Sequence, residues 1–469
     1  MTSPEQHLRR VGFLLLILLG ILALAAYPTR DDWTWAVLGR DQGFLGGLST
    51  HWHHWSGRWA YSLVMLTGGH LGAAFIPTYP LWPLATIAAV TAGAIALTQR
   101  LGLAPAWGVV LAAPLALMPG SAEGLFWQSG TVGYVLPLGL GALALTRPDP
   151  HTTTQRLGLL LAGCVLGGWT ETPAILLTAW ALTGLHRTTP RWLLAGLAIG
   201  MGLMVSAPGN VARLELVGGW KPLGPALGAG FATVTSLLLD LVTSPWLIAQ
   251  AALIAHLAPP TPPAKHWATL AIPFLAALAA ATASCATVGF CEPRQASALW
   301  LHLVLSILAI AWTFGKRLPP WAFTSWLVIA LAIRCDQPQE GVALIGDLVG
   351  SLALILLLLH AGWRRLAISW PLMLTIALLG NGAFFRLVDD TLAAPRWRWH
   401  LAQRDTLVQA AVAAGQSQVS VPLMEPNERP RSLSTGDLMT GGDWQGRAYA
   451  DWMGMKSVRV EPPRPLVTP

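Results

Sequence analysis

The sequence predicts an all-α polytopic membrane protein with about thirteen transmembrane helices and a small C-terminal α/β tail. Hydrophobic residues make up 54% of the 469 residues, and charged residues make up only 11%. That balance is typical of multi-span membrane proteins. Apolar runs of roughly 15–20 residues recur between residues 11 and 385, and each is long enough to cross a hydrocarbon layer of about 30 Å.

The first apolar run covers residues 11–27 and follows Arg9 and Arg10. The end of this run is compatible with a signal-peptide cleavage site, but the spans that follow favour a retained membrane anchor. Residues 81–97 are expected to form the second span. Two weaker runs, residues 59–76 and 231–241, are interrupted or followed by glycine or proline, and we expect them to lie as helices at the membrane interface.

The charge pattern predicts the side of the membrane on which each connection lies. With the N-terminus in the cytoplasm, the cytoplasmic connections and the N-terminal tail hold only two acids, Glu5 and Asp149. This is the bias of the positive-inside rule. The bases of these connections are Arg100, Arg147, Arg156, Arg187, Arg191, Lys265, Lys316, Arg317, Arg364 and Arg365. Because they set orientation, the net charge of +7 does not indicate a nucleic-acid partner.

Two regions are predicted from this topology. Residues 1–385 form a polytopic transmembrane domain with catalytic outer loops, the first of which covers residues 28–58. Residues 386–469 form a small extracytoplasmic domain. Within it, residues 399–414 have a helical pattern and residues 419–422 resemble a short strand.

Acidic residues are concentrated in the loops predicted to lie outside. The first of these loops places Asp31 and Asp32 directly after the first span, and it later carries Trp52, Trp55 and Arg58. A carboxylate can take a proton from an attacking hydroxyl group, indole faces can support a sugar ring, and arginine can grip phosphate bidentately. The combination indicates sugar chemistry at a membrane. Solvated charge and interfacial tryptophans are the alternative explanation.

Three later outer loops add candidate substrate-binding residues. These are Glu123, Trp127 and Tyr134 in the second loop, Glu171 in the third, and Asn210 and Arg213 in the fourth. Glu171 stands near the start of a helix, so helix capping explains it equally well. Glu292 and Arg294, in a further outer loop, are expected to pair with each other.

No metal site is predicted, although a divalent cation is left open as a cofactor. His51, His53 and His54 lie close together in the sequence, but no carboxylate or cysteine follows at a recognised metal-ligand spacing. Cys285 and Cys291 flank a predicted outer loop, where a disulfide is chemically allowed. Burial as small separate side chains is the alternative.

Short motifs in a fixed order give the chain a resemblance to a known family. The Asp pair is followed by Trp-Ser-Gly-Arg at 55–58, Phe-Trp-Gln-Ser-Gly-Thr-Val-Gly-Tyr at 126–134, Pro-Gly-Asn-Val-Ala-Arg at 208–213 and Ala-Tyr-Ala-Asp-Trp-Met-Gly at 448–454. Over nearly its whole length the chain resembles a bacterial multi-span membrane family, domain-of-unknown-function family 6056. That family is similar to the GT-C class of membrane glycosyltransferases.

The resemblance implies a GT-C-like fold in the bacterial plasma (inner) membrane, with Asp31 or Asp32 as the catalytic residue. The implied reaction moves a sugar from a polyprenyl-phosphate donor to an extracytoplasmic acceptor in envelope glycan or glycolipid assembly. The partners would be the lipid-linked sugar donor, the glycan or lipid acceptor, and membrane lipids. Arg58 and Arg213 would hold the donor phosphate. No second carboxylate is evident as a nucleophile, which favours inversion at the anomeric carbon.

A transporter or flippase for a lipid-linked or small anionic solute is the alternative function. Transport pathways need polar residues near the bilayer midplane, where this sequence offers only Asp240, Asp347 and a few histidines. The clustering of polar residues at one face favours the enzyme. A non-catalytic scaffold within an envelope polysaccharide complex is a third hypothesis.

Overall fold

The computed structural model describes residues 4–314 and 382–461, together with Val328 and Ala377. The gaps inside these ranges are residues 101, 113–114, 117, 119–120, 149, 184–190, 245–246, 253–266, 289–292, 423–428 and 434–443. The predictions for Lys316, Arg317, Arg364, Arg365 and Asp347 lie outside the described residues, as do those for Arg187, Lys265, Cys291 and Glu292.

The N-terminal part consists of three helices that carry the first sequence motifs. Helix α1 covers Pro4–Leu24, and α2 covers Asp31–His54. Helix α3 covers Trp59–Leu71 and continues through a 3₁₀ turn and a short helix to Thr78. The predicted first outer loop is thus mostly helix. Helix α2 kinks at Gly43, whose φ of 69° is one that glycine adopts without strain.

The central part is a bundle of helices. They are α4 Leu81–Arg100, α5 Ala106–Ala112, α6 Leu136–Leu145, α7 Thr153–Gly167, α8 Glu171–Thr183, α9 Arg191–Ser206, α10 Pro208–Leu216, α11 Leu223–Val242, α12 Trp267–Val288 and α13 Pro293–Phe314. Two π-helical turns, Ala122–Phe126 and Thr131–Val135, precede α6. Turns of this type occur frequently at functional sites.

The helices pack through apolar faces into one main core. Helix α7 packs on α9, α4 packs on α5 and α6, and α12 packs on α8, α11 and α13. Leu22, Phe126, Leu177, Ala277 and Leu303 are among the buried residues that connect these pairs. Where such helices are surrounded by lipid, which is as apolar as their side chains, close packing between the helices holds them together.

Three helical segments among the described residues are long and apolar enough to cross a membrane, namely Trp59–Thr78, Leu81–Arg100 and Leu223–Val242. The pair α9 and α10, bent by 52°, makes a fourth if it counts as one span. The two runs expected at the interface therefore belong to helices of spanning length. The predicted total of about thirteen transmembrane helices stays a prediction.

The C-terminal part combines two helices with a parallel strand pair. Helix α14 covers Gly382–Ala413, and α15 covers Trp444–Met453. Strands Gln418–Pro422 (β1) and Ser457–Glu461 (β2) pair in parallel, so the predicted strand at 419–422 is confirmed. The predicted domain boundary after residue 385 falls inside α14.

The C-terminal part is docked on the first two helices. The ring of Trp33 in α2 contacts Tyr449 and Trp452 of α15, with centroids 5.0 and 6.2 Å apart. Asp405 of α14 accepts hydrogen bonds from Tyr27 (2.5 Å) and Tyr449 (2.9 Å). These contacts join the tail to the segment that carries the Asp pair.

Candidate functional site

The ends of several helices bring most of the predicted site residues together in one place. We call this group the polar cluster and define it by Arg30, Asp31, Asp32, Arg58, Glu123, Trp127, Tyr134, Glu171, Arg213 and Arg294. The cluster draws on the start of α2, the turn before α3, both π-helical turns, and helices α8, α10 and α13. Residues far apart in the chain thus meet at a single site.

Asp32 is buried, and its carboxylate is fully engaged. Its Oδ2 accepts hydrogen bonds from Thr29 N (3.1 Å) and the Tyr79 hydroxyl (2.6 Å), and its Oδ1 accepts from Ser129 N (3.1 Å) and Ser129 Oγ (2.9 Å). Burial raises the pKa of Asp32 to about 7, and the hydrogen bonds limit the rise. Only 1% of the residue is exposed. Asp32 therefore fixes the start of α2 to the motif at 126–134.

Asp31 has the opposite environment. Its side chain is 37% exposed, and its Oδ2 lies 3.3 Å from Arg294 Nη1 at the start of α13. The guanidinium carbon of Arg294 lies 4.9 Å from the ring centroid of Trp127 and 6.0 Å from that of Tyr134. A carboxylate accessible to a ligand therefore stands beside a cation held over two aromatic rings.

Arg30 is held in an unusual backbone conformation. Its φ is 49°, in the left-handed region that non-glycine residues seldom adopt and that costs about 1–3 kcal/mol. Its Nη1 pairs with Glu123 Oε1 at 3.0 Å, and its guanidinium lies 5.5 Å from the Trp127 ring centroid. Backbone strain at this position is typical of a functional site.

Arg58 and Glu171 form the third charged pair of the cluster. Arg58 Nε and Nη2 lie 2.9 and 2.8 Å from Glu171 Oε2. Desolvation opposes ionisation of Glu171, but Arg58 outweighs it and holds the pKa of that carboxyl below its usual range. Arg58 is also close enough to Tyr134 and Arg294 for their charges to interact. The ion pairs Arg58–Glu171 and Asp31–Arg294 thus belong to one electrostatic group.

Asn210 connects the motif at 55–58 to the bend between α9 and α10. Its Oδ1 accepts a hydrogen bond from Gly57 N (3.1 Å), and its Nδ2 donates to Met204 O (2.8 Å). A Cβ on Gly57 would lie 1.9 Å from Met204 O, and one on Gly209 would lie 2.6 Å from Trp52 O. Glycine is required at both contacts, and Asn210 contacts backbone that positions Arg58.

Trp52 and Trp55 lie at the edge of the cluster. Trp55 is 46% exposed, and Arg213 lies over its ring at 5.6 Å. Trp52 is half-buried. The charge of Arg213 acts on Glu171 as well, which places α10 at the rim of the same site.

No family model, curated protein or solved structure matches the chain.

His51 and His53, candidate metal ligands by residue type, lie within hydrogen-bonding distance of other protein groups. Ser62 Oγ lies 2.9 Å from His51 Nδ1, and burial together with Arg58 lowers the pKa of His51 to about 3. His53 Nδ1 lies 2.8 Å from Ser49 O. Within the described part of the chain, no group of three or more His, Cys, Asp or Glu residues could hold a metal ion. Cys285 is buried in α12.

Three important contacts were missed by reasoning from the sequence. Arg294 pairs with Asp31, and Tyr79 and Ser129 hold Asp32. No local pattern points to Tyr79, because its partner is 47 residues away. For Arg294 the only signal was a charge in a charge-poor chain. Chemically, the cluster offers an accessible carboxylate, several cations and an aromatic surface.

Proposed function

We propose that the protein is a membrane glycosyltransferase that moves a sugar from a polyprenyl-phosphate donor to an extracytoplasmic acceptor. The observation that supports this most is the contrast within the Asp pair. Asp31 is accessible beside Arg294 and Trp127, whereas Asp32 is buried in hydrogen bonds. A base that must reach an acceptor hydroxyl has to be accessible, and a neighbour that fixes it need not be.

In this proposal Asp31 is the general base, and Asp32 is a positioning residue. The cluster contains four arginines, Arg30, Arg58, Arg213 and Arg294. Three carboxylates that are more exposed than Asp32 lie among them, namely Asp31, Glu123 and Glu171. The excess of positive charge suits a donor phosphate, and it would stabilise negative charge that develops on the leaving group. Trp127 and Tyr134 would support the sugar, with Trp52 and Trp55 at the rim.

The proposed topology puts the polar cluster and the C-terminal part outside the plasma membrane of a bacterium, with the N-terminus in the cytoplasm. An acceptor in the envelope would then reach the cluster directly. The long apolar segments near it would let a lipid-linked donor approach from the bilayer.

The test uses a deletion strain complemented with the wild type, Asp31→Asn or Asp41→Asn. Asp41 is the matched control, since it lies on the same helix with an exposed side chain paired with Arg40. Envelope glycans and lipid-linked sugars are measured by mass spectrometry. We expect the wild type and the control to restore a missing decoration, and Asp31→Asn to leave the donor accumulated at equal protein levels. Restoration by Asp31→Asn would contradict the assignment.

Transport of a lipid-linked anionic solute is a second proposal, favoured by one observation. Helices α9 and α10 form a pair bent by 52°, and broken helices often line transport sites. In the deletion strain this function predicts donor accumulated on the cytoplasmic face alone, whereas a missing transferase leaves donor on the outer face.

A further inference from the structure

The turn between α6 and α7 forms a groove at the far end of these helices from the polar cluster. Helix α6 begins two residues after Tyr134, and α7 ends four residues before Glu171. The two helices are 10 and 15 residues long. At 1.5 Å per residue, the groove lies about 15–22 Å from the cluster.

The groove has apolar walls and a basic mouth. Its volume is about 440 Å³, a size typical of ligand sites. Leu143 of α6, together with Leu159 and Ala162 of α7, lines the walls, and Arg147 and His151 lie at the turn. Both basic side chains are exposed.

The charged residues around this turn are predominantly basic, since Arg100, Arg147 and His151 outnumber Asp149, the acid of the same turn in the sequence. Arg100 donates hydrogen bonds to the carbonyl oxygens of Thr146 (2.8 Å) and Arg147 (3.2 Å), which places a further base beside the groove. Thr152 and Gln155 form a capping box at the start of α7. That box uses groups of the helix end, whereas the side chains of Arg147 and His151 are exposed at the mouth of the groove.

The outer face of α7 indicates where the ligand comes from. Leu157 and Leu161 are 52% and 64% exposed, so this face suits contact with lipid rather than water. Basic pockets between apolar helices bind anionic lipid headgroups through phosphate. A soluble anion would gain nothing from the apolar walls.

We propose that this groove binds an anionic phospholipid, with Arg147 and His151 on its phosphate and the upper acyl chain along Leu143, Leu159 and Ala162. The proposal is independent of the reaction at the polar cluster. It would make the lipid a structural ligand of the α6–α7 turn.

The test measures phosphatidylglycerol binding to the purified full-length protein in phosphatidylcholine nanodiscs by native mass spectrometry. The variant Arg147→Gln with His151→Gln removes the basic mouth, and Leu159→Trp fills the groove without changing charge. Arg156→Gln is the matched control, because Arg156 is exposed in the first turn of α7 but does not line the groove. Circular dichroism verifies that each variant is folded.

We expect Arg147→Gln with His151→Gln to weaken phosphatidylglycerol binding about ten-fold, through loss of charge-assisted contacts, and Leu159→Trp to weaken it because the indole occupies the groove. The control should bind like the wild type. Equal weakening by Arg156→Gln would mean general surface charge and would overturn the proposal. Unchanged binding in the groove variants would also overturn it. Displacement of the lipid by inorganic phosphate at an equal concentration would assign the groove to a soluble anion instead.

Discussion

Asp31 and Asp32 are neighbours in the chain, yet their side chains have different surroundings, and this makes Asp32 a pH-sensitive group. The pKa of Asp32 is raised from 3.8 to about 7. Between pH 3.8 and about pH 7, Asp32 holds a proton in the folded protein that it has released in the unfolded chain. Its contribution to stability therefore decreases as pH rises through this window. The full effect is roughly 4 kcal/mol, at about 1.4 kcal/mol per pKa unit.

We therefore expect Asp32 to lower the free energy of unfolding of the purified protein between about pH 4 and about pH 7, against the opposite contribution of His51, whose pKa is lowered to about 3. In Asp32→Asn the free energy of unfolding should rise more with pH than in the wild type, because an amide does not titrate. Asp41→Asn should keep the wild-type pH dependence, since Asp41 is exposed. The comparison is made by thermal unfolding across pH, and a wild-type slope in Asp32→Asn would contradict the account.

Arg58 provides a second prediction about a single side chain. Its Nε and Nη2 both reach Glu171, and a lysine cannot reproduce this planar fork. We expect Arg58→Lys to lower transfer efficiency with a polyprenyl-phosphate donor by roughly ten-fold to a hundred-fold. Arg156→Lys on an exposed surface should change nothing. Unchanged kinetics in Arg58→Lys would show that the arginine only anchors the chain at the interface.

The residue types of the site could be predicted because carboxylates, arginines and tryptophans are conspicuous in a charge-poor chain. Their pairing could not, since Asp31–Arg294 and Asp32–Tyr79 join positions that only tertiary packing brings together. The different surroundings of two adjacent aspartates follow from which face of α2 each one occupies. Sequence spacing does not reveal that.

Among the elements, α15 is the one whose role was least visible in the sequence. It lies against α2 through Trp452, whose ring is 6.2 Å from that of Trp33, and through Arg40, which donates to the carbonyl oxygens of Asp451 and Trp452 (both 3.1 Å). The Trp452 ring also lies 5.6 Å from that of Phe75, which follows α3. The tail therefore supports the helix that begins with the Asp pair.

We expect Trp452→Ala to lower the free energy of unfolding by about 1–3 kcal/mol, because several aromatic contacts are lost. Limited proteolysis should cut the tail of this variant faster than that of the wild type. Trp220→Ala is the control, since Trp220 is 67% exposed. Equal behaviour of the two variants would mean that α15 adds little to the fold.

Helices with long apolar patterns could be predicted well, as α4 shows. The helical form of residues 31–54 could not, because polar residues and glycines interrupt its pattern and packing on α3, α10 and α15 stabilises it. The π-helical turns before α6 likewise depend on contacts with α13, which no local pattern encodes.

For the whole molecule, the charge bias makes a topological prediction. Single cysteines at positions 41 and 447 should react with an impermeant thiol reagent in intact cells, whereas one at position 316 should react only after permeabilisation. Labelling at 316 from outside would reverse the orientation and move the polar cluster to the cytoplasm. The native cysteines are replaced beforehand, and the cysteine-free protein serves as the blank.

The contact between α2 and α15 also sets an order of events during synthesis. Arg40 and the carbonyl oxygen of Trp452 that it binds are 412 residues apart in the chain. At ribosomal rates of about 5–20 residues per second, roughly 20–80 s pass between the emergence of one and of the other. During that interval the aromatic face around Trp33 has no partner from α15, so α2 gains this support only after α15 has been synthesised.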